Sequence, residues 1–542
     1  MIKYHNSKKS LLKSKKVLAK VKKYFYSLFR RAEVLDQHKN TITLCRPPQL
    51  SNKDRVKRQG LQMIELRDYQ QKAVNDVREA FREGFKAPFL TAPTGAGKTV
   101  ILAKICENAS AKGTCTVVLV HRQELVVQTA KALARFGITH SIVAPAKVVQ
   151  NAIKIQIEEF KKSFFRDESK IYIATVQTLV RRMADLPKFD LILIDEAHHG
   201  VAGTWLKIVQ SYPGAKVLGV SATPERLDGQ GLGKHCGGIF DKLIIGPTIS
   251  ELIERGYLTK PRVYCPPIQA DFDGLKTIAG DFDRKEQEKR LNKPRIIGDV
   301  IAHYRKYCEG VPAIAFCPTV EYAKYVADNF NAAGYRAASV DGNMDDYQRN
   351  KAINDLGNGR LDVLTSCEIV SEGTDIPVVG AAILLRKTKS LGLYLQQVGR
   401  ALRPYPGKSE TIILDHVGNC NEHGLPDDPH QWTLDGRVRR SRSSGGGGLA
   451  CRQCLQCYAV YPSTVTVCPV CGTPATKTKI EIEEVEGELV EFKKRAEKIQ
   501  RGRAQTMEEL IEFGKAKGYK NPVAWARYVY NGRKAREERR HL

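Results

Sequence analysis

The chain has 542 residues, 42% of them hydrophobic, and carries 87 Lys/Arg against 59 Asp/Glu for a net charge of +28. That length and apolar content suit several domains with real cores, and no uninterrupted apolar run approaches the length of a membrane span. The basic balance favours a polyanionic partner, nucleic acid first, and the cysteines exclude a secreted disulfide scaffold: of 14, nine are scattered singly and five crowd into 451–471, which suits a reducing cytosol.

Residues 1–62 carry 17 Lys/Arg against 3 Asp/Glu, half of the net charge. Lys20, Lys22 and Lys23 break up any signal-peptide core, while Leu11–Arg31 has the pattern of a basic amphipathic helix. Four readings stay open for this extension: transit peptide, nucleic-acid arm, solvated tail, or a true start at Met63. Order begins at Ile64. Leu66-Arg-Asp-Tyr-Gln70 opens a helix running toward Phe81, on which Arg67 and Gln70 either meet the edge of a nucleotide base or decorate a plain surface.

The short apolar strand Phe89-Leu90 then leads into Ala92-Pro-Thr-Gly-Ala-Gly-Lys-Thr99, followed by Val100–Ala109 at helical spacing. A Gly-rich turn between a strand and a helix N-terminus gathers backbone N–H groups and the positive end of the helix dipole at one point, which favours phosphate. Thr94, Gly95, Ala96 and Gly97 form this cradle, Lys98 reaches the outer phosphates, and the Thr99 hydroxyl ligates Mg²⁺. Ala92 stands where the strict P-loop pattern has Gly.

Strand-like runs alternate with helical ones from there. Val117–Leu125 is a strand turning into a helix, and Lys170–Thr178 is another strand. Phe189–His198 is an apolar strand ending in two acids, and Val217–Pro224 repeats the pattern. Such alternation predicts a parallel sheet covered on both faces, with ligands at the carboxyl ends of its strands. Asp195, on the strand beside the P-loop, completes the Mg²⁺ shell, and Glu196 orients and polarises the attacking water; the bland alternative is a solvated acidic loop. After a helix at Ile249–Arg255, Gly256–Pro261 reads as the exit from this domain. A second alternating region has strands at Ala313–Pro318, Leu361–Ser366, Ala381–Leu385 and Thr411–Leu414. Within it, Gln396-Gln-Val-Gly-Arg-Ala-Leu-Arg-Pro404 places Arg400 and Arg403 on one helix face. They act either as arginine fingers reaching across a cleft to the γ-phosphate or as salt-bridge partners on a surface helix.

The set Arg67/Gln70, Gly95–Thr99, Asp195-Glu-Ala-His198, Ser221-Ala-Thr223, Gly373/Asp375 and Gln396…Gly399-Arg400…Arg403 resembles superfamily 2 helicases and translocases of the DEAD/DEAH-box kind. The resemblance runs from Leu66 to about Pro404, with the motifs in the family's order. It implies two RecA-like domains, ATP in the cleft between them and a nucleic-acid strand across both. It also implies that Gln70 helps select adenine and that Gln396 joins Arg400 and Arg403 in catalysis. Ser221 and Thr223 then couple hydrolysis to strand movement, His198 links the ATP site to domain two, and Gly373 and Asp375 sense the nucleotide. The family accepts Ala at position 92.

Beyond the core, the basic and Gly-rich run 437–450 reads as a linker. Cys454-Leu-Gln-Cys457 and Cys468-Pro-Val-Cys471 then form two C-x₂-C knuckles, a structural Zn²⁺ site with four thiolates; Cys451 offers a rival pairing with Cys454. A zinc ribbon after a helicase core resembles the bacterial and phage RadD-type DNA-repair group. From Thr506 the tail reads as two helices around Gly518–Pro522. There Trp525 and Tyr528, interleaved with Arg527, Arg533, Lys534 and Arg536, either stack on bases or form the small core of a helical pair.

The expectation is an α/β chain of two tandem RecA-like parallel-sheet domains (63–246 and 247–436), a zinc ribbon (451–478) and a basic helical region (479–542). Its expected cofactors are ATP, Mg²⁺ and structural Zn²⁺. Its expected role is that of a cytoplasmic ATP-dependent helicase or translocase on DNA, in repair, recombination or replication, with a single-strand-binding or repair protein as candidate partner. The rivals are a DNA-stimulated ATPase that remodels protein–DNA complexes, an RNA helicase, and a non-catalytic binding module.

Overall fold

The computed structural model describes residues 65–199, 203–226, 229–266, 272, 274–278, 280–292, 294–342, 344–367, 376–435, 451–475, 506–516 and 521–538. The basic extension, the 437–450 linker, Gly373 and Asp375 lie outside these residues.

The first sheet contains β1 (Pro88–Thr91), β2 (Thr116–Val120), β3 (Ser141–Val143), β4 (Ile171–Thr175), β5 (Leu191–Asp195), β6 (Lys216–Ser221) and β7 (Lys242–Ile245). They lie in the order β3-β4-β2-β5-β6-β1-β7, every pair parallel. Runs such as Thr116-Val-Val-Leu-Val120 are buried at every position, because helices cover both faces of a parallel sheet. Val118, Ile173 and Leu193 pack on one face; Val117, Ile192 and Ile194 pack on the other.

One expectation is corrected here. The strand carrying Asp195 is not beside the P-loop strand: β6 lies between them, with Asp195 opposite Val220 and Ser221 opposite Thr91. Chain order does not fix strand order in a sheet of crossovers, and the consequence is that Ser221 sits between the acids and the phosphate loop.

The second sheet contains β8 (Lys260–Tyr264), β11 (Ala313–Phe316), β12 (Ala337–Val340), β13 (Val363–Ser366), β14 (Ala381–Leu384) and β15 (Glu410–Asp415); a small hairpin, β9 (Thr277–Ile278) and β10 (Asp281–Phe282), precedes β11. The order is β12-β13-β11-β14-β15-β8, again all parallel. The expected pair of tandem parallel-sheet domains is therefore present. The segment read as an exit from the first domain is already the edge strand of the second, since Lys260 and Pro261 pair with Glu410 and Thr411.

Two further pieces hold this unit together. Leu434, at the end of the second domain, packs into the first domain's core, and its carbonyl accepts Leu232 N and Gly233 N, both at 2.9 Å. The hairpin β16 (Cys451–Gln453) and β17 (Val460–Pro462) docks on the edge strand β8. Cys265 N donates to Tyr458 O at 3.0 Å, and Tyr307 Oη to Cys457 O at 3.1 Å.

In the C-terminal unit the described residues form helices Met507–Ala516 and Pro522–Glu538. Leu510 and Ala526 are fully buried between them, and Trp525 stacks on Phe513 with ring centroids 5.8 Å apart. Trp525 thus serves the helical pair's core, while the side chains of Tyr528, Arg533, Lys534 and Arg536 lie outside the described residues. No described helix is long and apolar enough to cross a membrane.

Candidate ATP site and metal centre

The loop after β1 bends through two left-handed glycines, Gly95 at φ +92° and Gly97 at φ +81°, a conformation glycine adopts without steric cost. At both positions a side chain would be strained by the backbone and would displace a neighbouring side chain. A Cβ on Gly95 would stand 2.8 Å from Leu258 Cδ2, and one on Gly97 would stand 2.5 Å from Gln70 Nε2. The helix Lys98–Ala111 begins at once, and no side chain caps its N-terminus. Its positive end is therefore left for an anion.

The helix Asp68–Arg82 braces this loop. Tyr69 Oη and Gln70 Nε2 both donate to Ala96 O at 3.1 Å, and Gln70 Oε1 accepts from Arg67 N at 3.1 Å. One donor and one acceptor of the Gln70 amide are thus engaged in supporting the phosphate loop. The Arg67 guanidinium lies 4.2 Å from the centroid of the Tyr257 ring and donates to Tyr69 Oη at 3.1 Å.

Lys98 Nζ donates to Ala92 O at 3.4 Å and stands 3.6 Å from Glu196 Oε1. The other carboxylate oxygen of Glu196 accepts from Ser221 Oγ at 3.2 Å and from Gln396 Nε2 at 3.4 Å, with His198 Nδ1 at 3.5 Å. His198 Nδ1 and Ser221 Oγ are themselves 2.8 Å apart. Glu196 has φ +50°, which costs a residue with a side chain about 1 kcal/mol or more, and the turn is held by Asp195 Oδ1 accepting Glu196 N at 3.1 Å. Burial, and secondarily the charge of Glu196, raise the Asp195 carboxyl to about 6.

The second domain supplies the opposite wall through the helix Leu391–Ala401. Gln396 lies on it, and two glycines seven residues apart let its backbone approach the first domain. A Cβ on Gly399 would come within 2.6 Å of Thr94 Cβ, and one on Gly392 within 2.6 Å of Thr223 Oγ1. Arg400 is buried in the last turn. Arg403 does not share its helix face, as the sequence suggested: the helix ends at Ala401, and Arg403 leaves it half-buried with Cγ 3.9 Å from the position of a Gly95 Cβ. An ion pair, Arg349 to Glu124 at 2.8 Å, also joins the domains.

Residues 63–226 match the family described as "Type III restriction enzyme, res subunit", and residues 292–405 match "Helicase conserved C-terminal domain". A "51.5 kDa protein" of a Lactococcus phage is 32% identical over 417 residues, covering 76% of this chain and 84% of that one. The chain is a superfamily 2 helicase. A Saccharomyces cerevisiae protein named "Putative ATP-dependent helicase IRC3" is 29% identical over 65% of this helicase. The match spans only 51% of the yeast protein's length. Among solved structures, a fragment of an HsdR-type subunit of a type I restriction enzyme from Vibrio vulnificus YJ016 is similar at 20% identity and a TM-score of 0.51, covering 70% of this chain and 69% of that one. That likeness is one of fold.

Membership implies ATP and Mg²⁺, and the residues fit both. The uncapped helix start, the two left-handed glycines and Lys98 match a polyphosphate, while Thr99 and Asp195 offer the oxygen ligands Mg²⁺ prefers. The bound ion would neutralise charge on the β- and γ-phosphates.

The Sγ atoms of Cys454 and Cys457, in the loop of the β16–β17 hairpin, and of Cys468 and Cys471, in the turn that follows it, all lie within 4.8 Å of one another. Cys454 and Cys471 are 3.6 Å apart, and Cys457 and Cys468 are 3.7 Å apart. Tetrahedral Zn²⁺ with Zn–S near 2.3 Å needs S···S of about 3.8 Å, so the four thiols fit the metal. Cys451 stands outside this group.

Sequence reasoning missed Tyr69, Tyr257, Leu258, Gly392 and the Arg349–Glu124 pair. Only Gly392 had a legible signal, its spacing of seven from Gly399 along an amphipathic helix.

Proposed function

We propose that this helicase is a DNA motor, coupling ATP hydrolysis in the interdomain cleft to movement along a phosphate backbone. The observation that carries the reading is the convergence on Glu196: Lys98, Ser221 and His198 from the first domain and Gln396 from the second all reach its carboxylate. Glu196 would position and polarise the water, Lys98 the phosphates, and Arg400 and Arg403 the charge that develops on the γ-phosphate. Asp195 and Thr99 would hold Mg²⁺. Thr223 touches the arginine-bearing helix, and Ser221 and His198 touch Glu196, so all three lie where hydrolysis would be relayed into domain movement. Gly373 and Asp375 keep their proposed role as nucleotide sensors.

The net charge of +28 supports a nucleic-acid partner gripped through phosphates, and similarity to restriction-type subunits favours DNA over RNA. The four-cysteine cluster formed by the docked hairpin and the turn after it supports structural Zn²⁺ and the narrower RadD-type repair assignment. The domain limits, the DEAH-type chemistry and the cytoplasmic location belong to the same proposal.

The test is ATPase activity with single-stranded, duplex and branched DNA, with RNA, and with none, beside a strand-separation assay. Stimulation by DNA above RNA is expected. Stimulation without strand separation would favour a translocase that remodels protein–DNA complexes. Full DNA-stimulated activity in Lys98→Ala would sink the proposal.

A further inference from the structure

The segment leaving the arginine-bearing helix turns through Tyr405-Pro-Gly-Lys408. Proline presets the second turn position, Gly407 takes the third at φ +81°, and Lys408 N closes onto Tyr405 O at 2.9 Å, the type II pattern. This turn sends the Lys408 side chain back beneath the helix it has just left. Its ammonium donates to Val379 O at 2.7 Å, to Arg403 O at 2.6 Å, and to Ala401 O. A lysine ammonium has three protons, and three carbonyls receive them.

These carbonyls are not equivalent. Ala401 is the last residue of the helix, where the macrodipole is negative and a cation is favoured. Arg403 lies just past that end, and Val379 lies just before β14, in the sheet of the second domain. Neighbouring groups finish the job: Thr411 Oγ1 donates to Ala401 O at 2.8 Å, while Thr259 N and Oγ1 donate to Leu402 O at 2.8 and 3.0 Å. Three consecutive carbonyls, from Ala401 to Arg403, are therefore fixed. Their position decides where the Arg400 and Arg403 side chains start, and the Arg403 stem already lies against Gly95 of the phosphate loop.

We propose that Lys408 is a positioning residue for the two arginines: its ammonium ends the helix at Ala401 and pins the Arg403 backbone to the second sheet, so that both guanidinium groups meet the transferring phosphate in register. The inference rests on the assignment of Arg400 and Arg403 to that phosphate. A misplacement of about 1 Å at a reacting group costs roughly 10²-fold, so loss of the pin should appear in the transition state rather than in nucleotide binding.

The test uses the full chain and two probes, ADP and ADP–aluminium fluoride, whose affinity ratio reports transition-state contacts. Lys408→Met should lower kcat about 10- to 100-fold with the KM for ATP within a few-fold, and should lower the affinity ratio in parallel. In an Arg400→Ala/Arg403→Ala background, the same change should leave the ratio within about 2-fold, because both substitutions act through one contact. A further additive loss there overturns the role of Lys408. An unchanged ratio in the arginine double variant overturns the arginine assignment itself, and the two failures are thus distinct. If Lys408→Met does not fold, Lys408→Gln, which keeps two donors on a shorter stem, serves the same cycle.

Discussion

Gln396 Nε2 lies 3.4 Å from Glu196 Oε2, a contact between residues 200 positions apart and in different domains. The carboxylate that would act on water is thus also the point at which the second domain touches the first. Its other oxygen faces Lys98 at 3.6 Å, so nucleotide phosphate and Glu196 compete for one ammonium. Glu196→Gln keeps the shape and removes the charge. ATP hydrolysis should fall by about 10²–10⁴-fold, the usual contribution of a positioned base. ATP affinity should hold or tighten, because Lys98 is released. Steady-state ATPase and fluorescent-nucleotide binding measure the two effects, and an unchanged kcat would remove Glu196 from the chemistry.

The close approach of Gly399 to Thr94 makes a second prediction. With a Cβ only 2.6 Å from Thr94 Cβ, Gly399→Ala cannot close the cleft without moving a helix or the phosphate loop. ATPase should drop at least about tenfold, by the same misalignment argument, with nucleotide binding to the first domain retained. Gly298 is the matched control: it lies in a helix, exposed, with nothing within 4 Å of its Cβ position. Gly298→Ala should stabilise the protein by about 0.5–1 kcal/mol and leave ATPase alone. Equal activity in the two variants would show that the closed cleft is not the working state.

The inner strands of both sheets were legible in the sequence because a parallel strand buried on both faces is an unbroken apolar run, whereas the edge strands β3, β7, β8 and β12 were not read. Leu191-Ile-Leu-Ile-Asp195 has no other reading once alternating helices flank it. The residues of the phosphate loop were legible because glycine, lysine and threonine sit at fixed offsets. What resisted was everything set by lateral order or by close approach. The placement of β6 between β5 and β1 follows from crossover topology, which no local pattern records. The arginine-bearing helix ends at Ala401, short of Arg403, where Lys408 and Thr259 from beyond the helix take the last carbonyls, which no local pattern records. Tyr257 and Leu258 read as linker, yet they lie over Arg67 and Gly95.

Zinc content offers a third measurement. The four sulfurs of Cys454, Cys457, Cys468 and Cys471 form one group and Cys451 does not join it. One zinc per chain is expected by metal analysis of protein purified without chelator. Cys457→Ser should lose most of it, and Cys451→Ser should keep it. Because the hairpin packs on β8 and shares the second domain's core through Cys454, Val460 and Tyr461, chelation should also lower thermal stability. The reverse pattern, zinc lost in Cys451→Ser and kept in Cys457→Ser, would reassign the ligand.

The last prediction concerns acid stability and comes from His140, which is fully buried beside the first sheet. Its Nδ1 lies 2.9 Å from Ile138 O and so carries the proton, while Nε2 lies 3.0 Å from Gln156 Nε2, a donor, and so accepts. Gln156 is fixed in that orientation because its Oε1 accepts Phe164 N at 2.8 Å. A second proton on the ring would set two donors against each other, in a site where burial already lowers the pKa to about 4 from 6.5. The unfolded chain binds that proton first. Between these two values stability therefore rises with pH: the contribution is complete above 6.5 and is lost as pH falls toward 4. Each pH unit of that window is worth about 1.4 kcal/mol, so the loss reaches about 3 kcal/mol at pH 4 and about 2 kcal/mol at pH 5. Urea midpoints at pH 7 and pH 5 should differ accordingly. His140→Gln, which does not titrate, should be less stable at pH 7 yet flatter across the window by about one proton. An equal pH slope in the variant and the parent would show that His140 is not the residue that limits stability in acid.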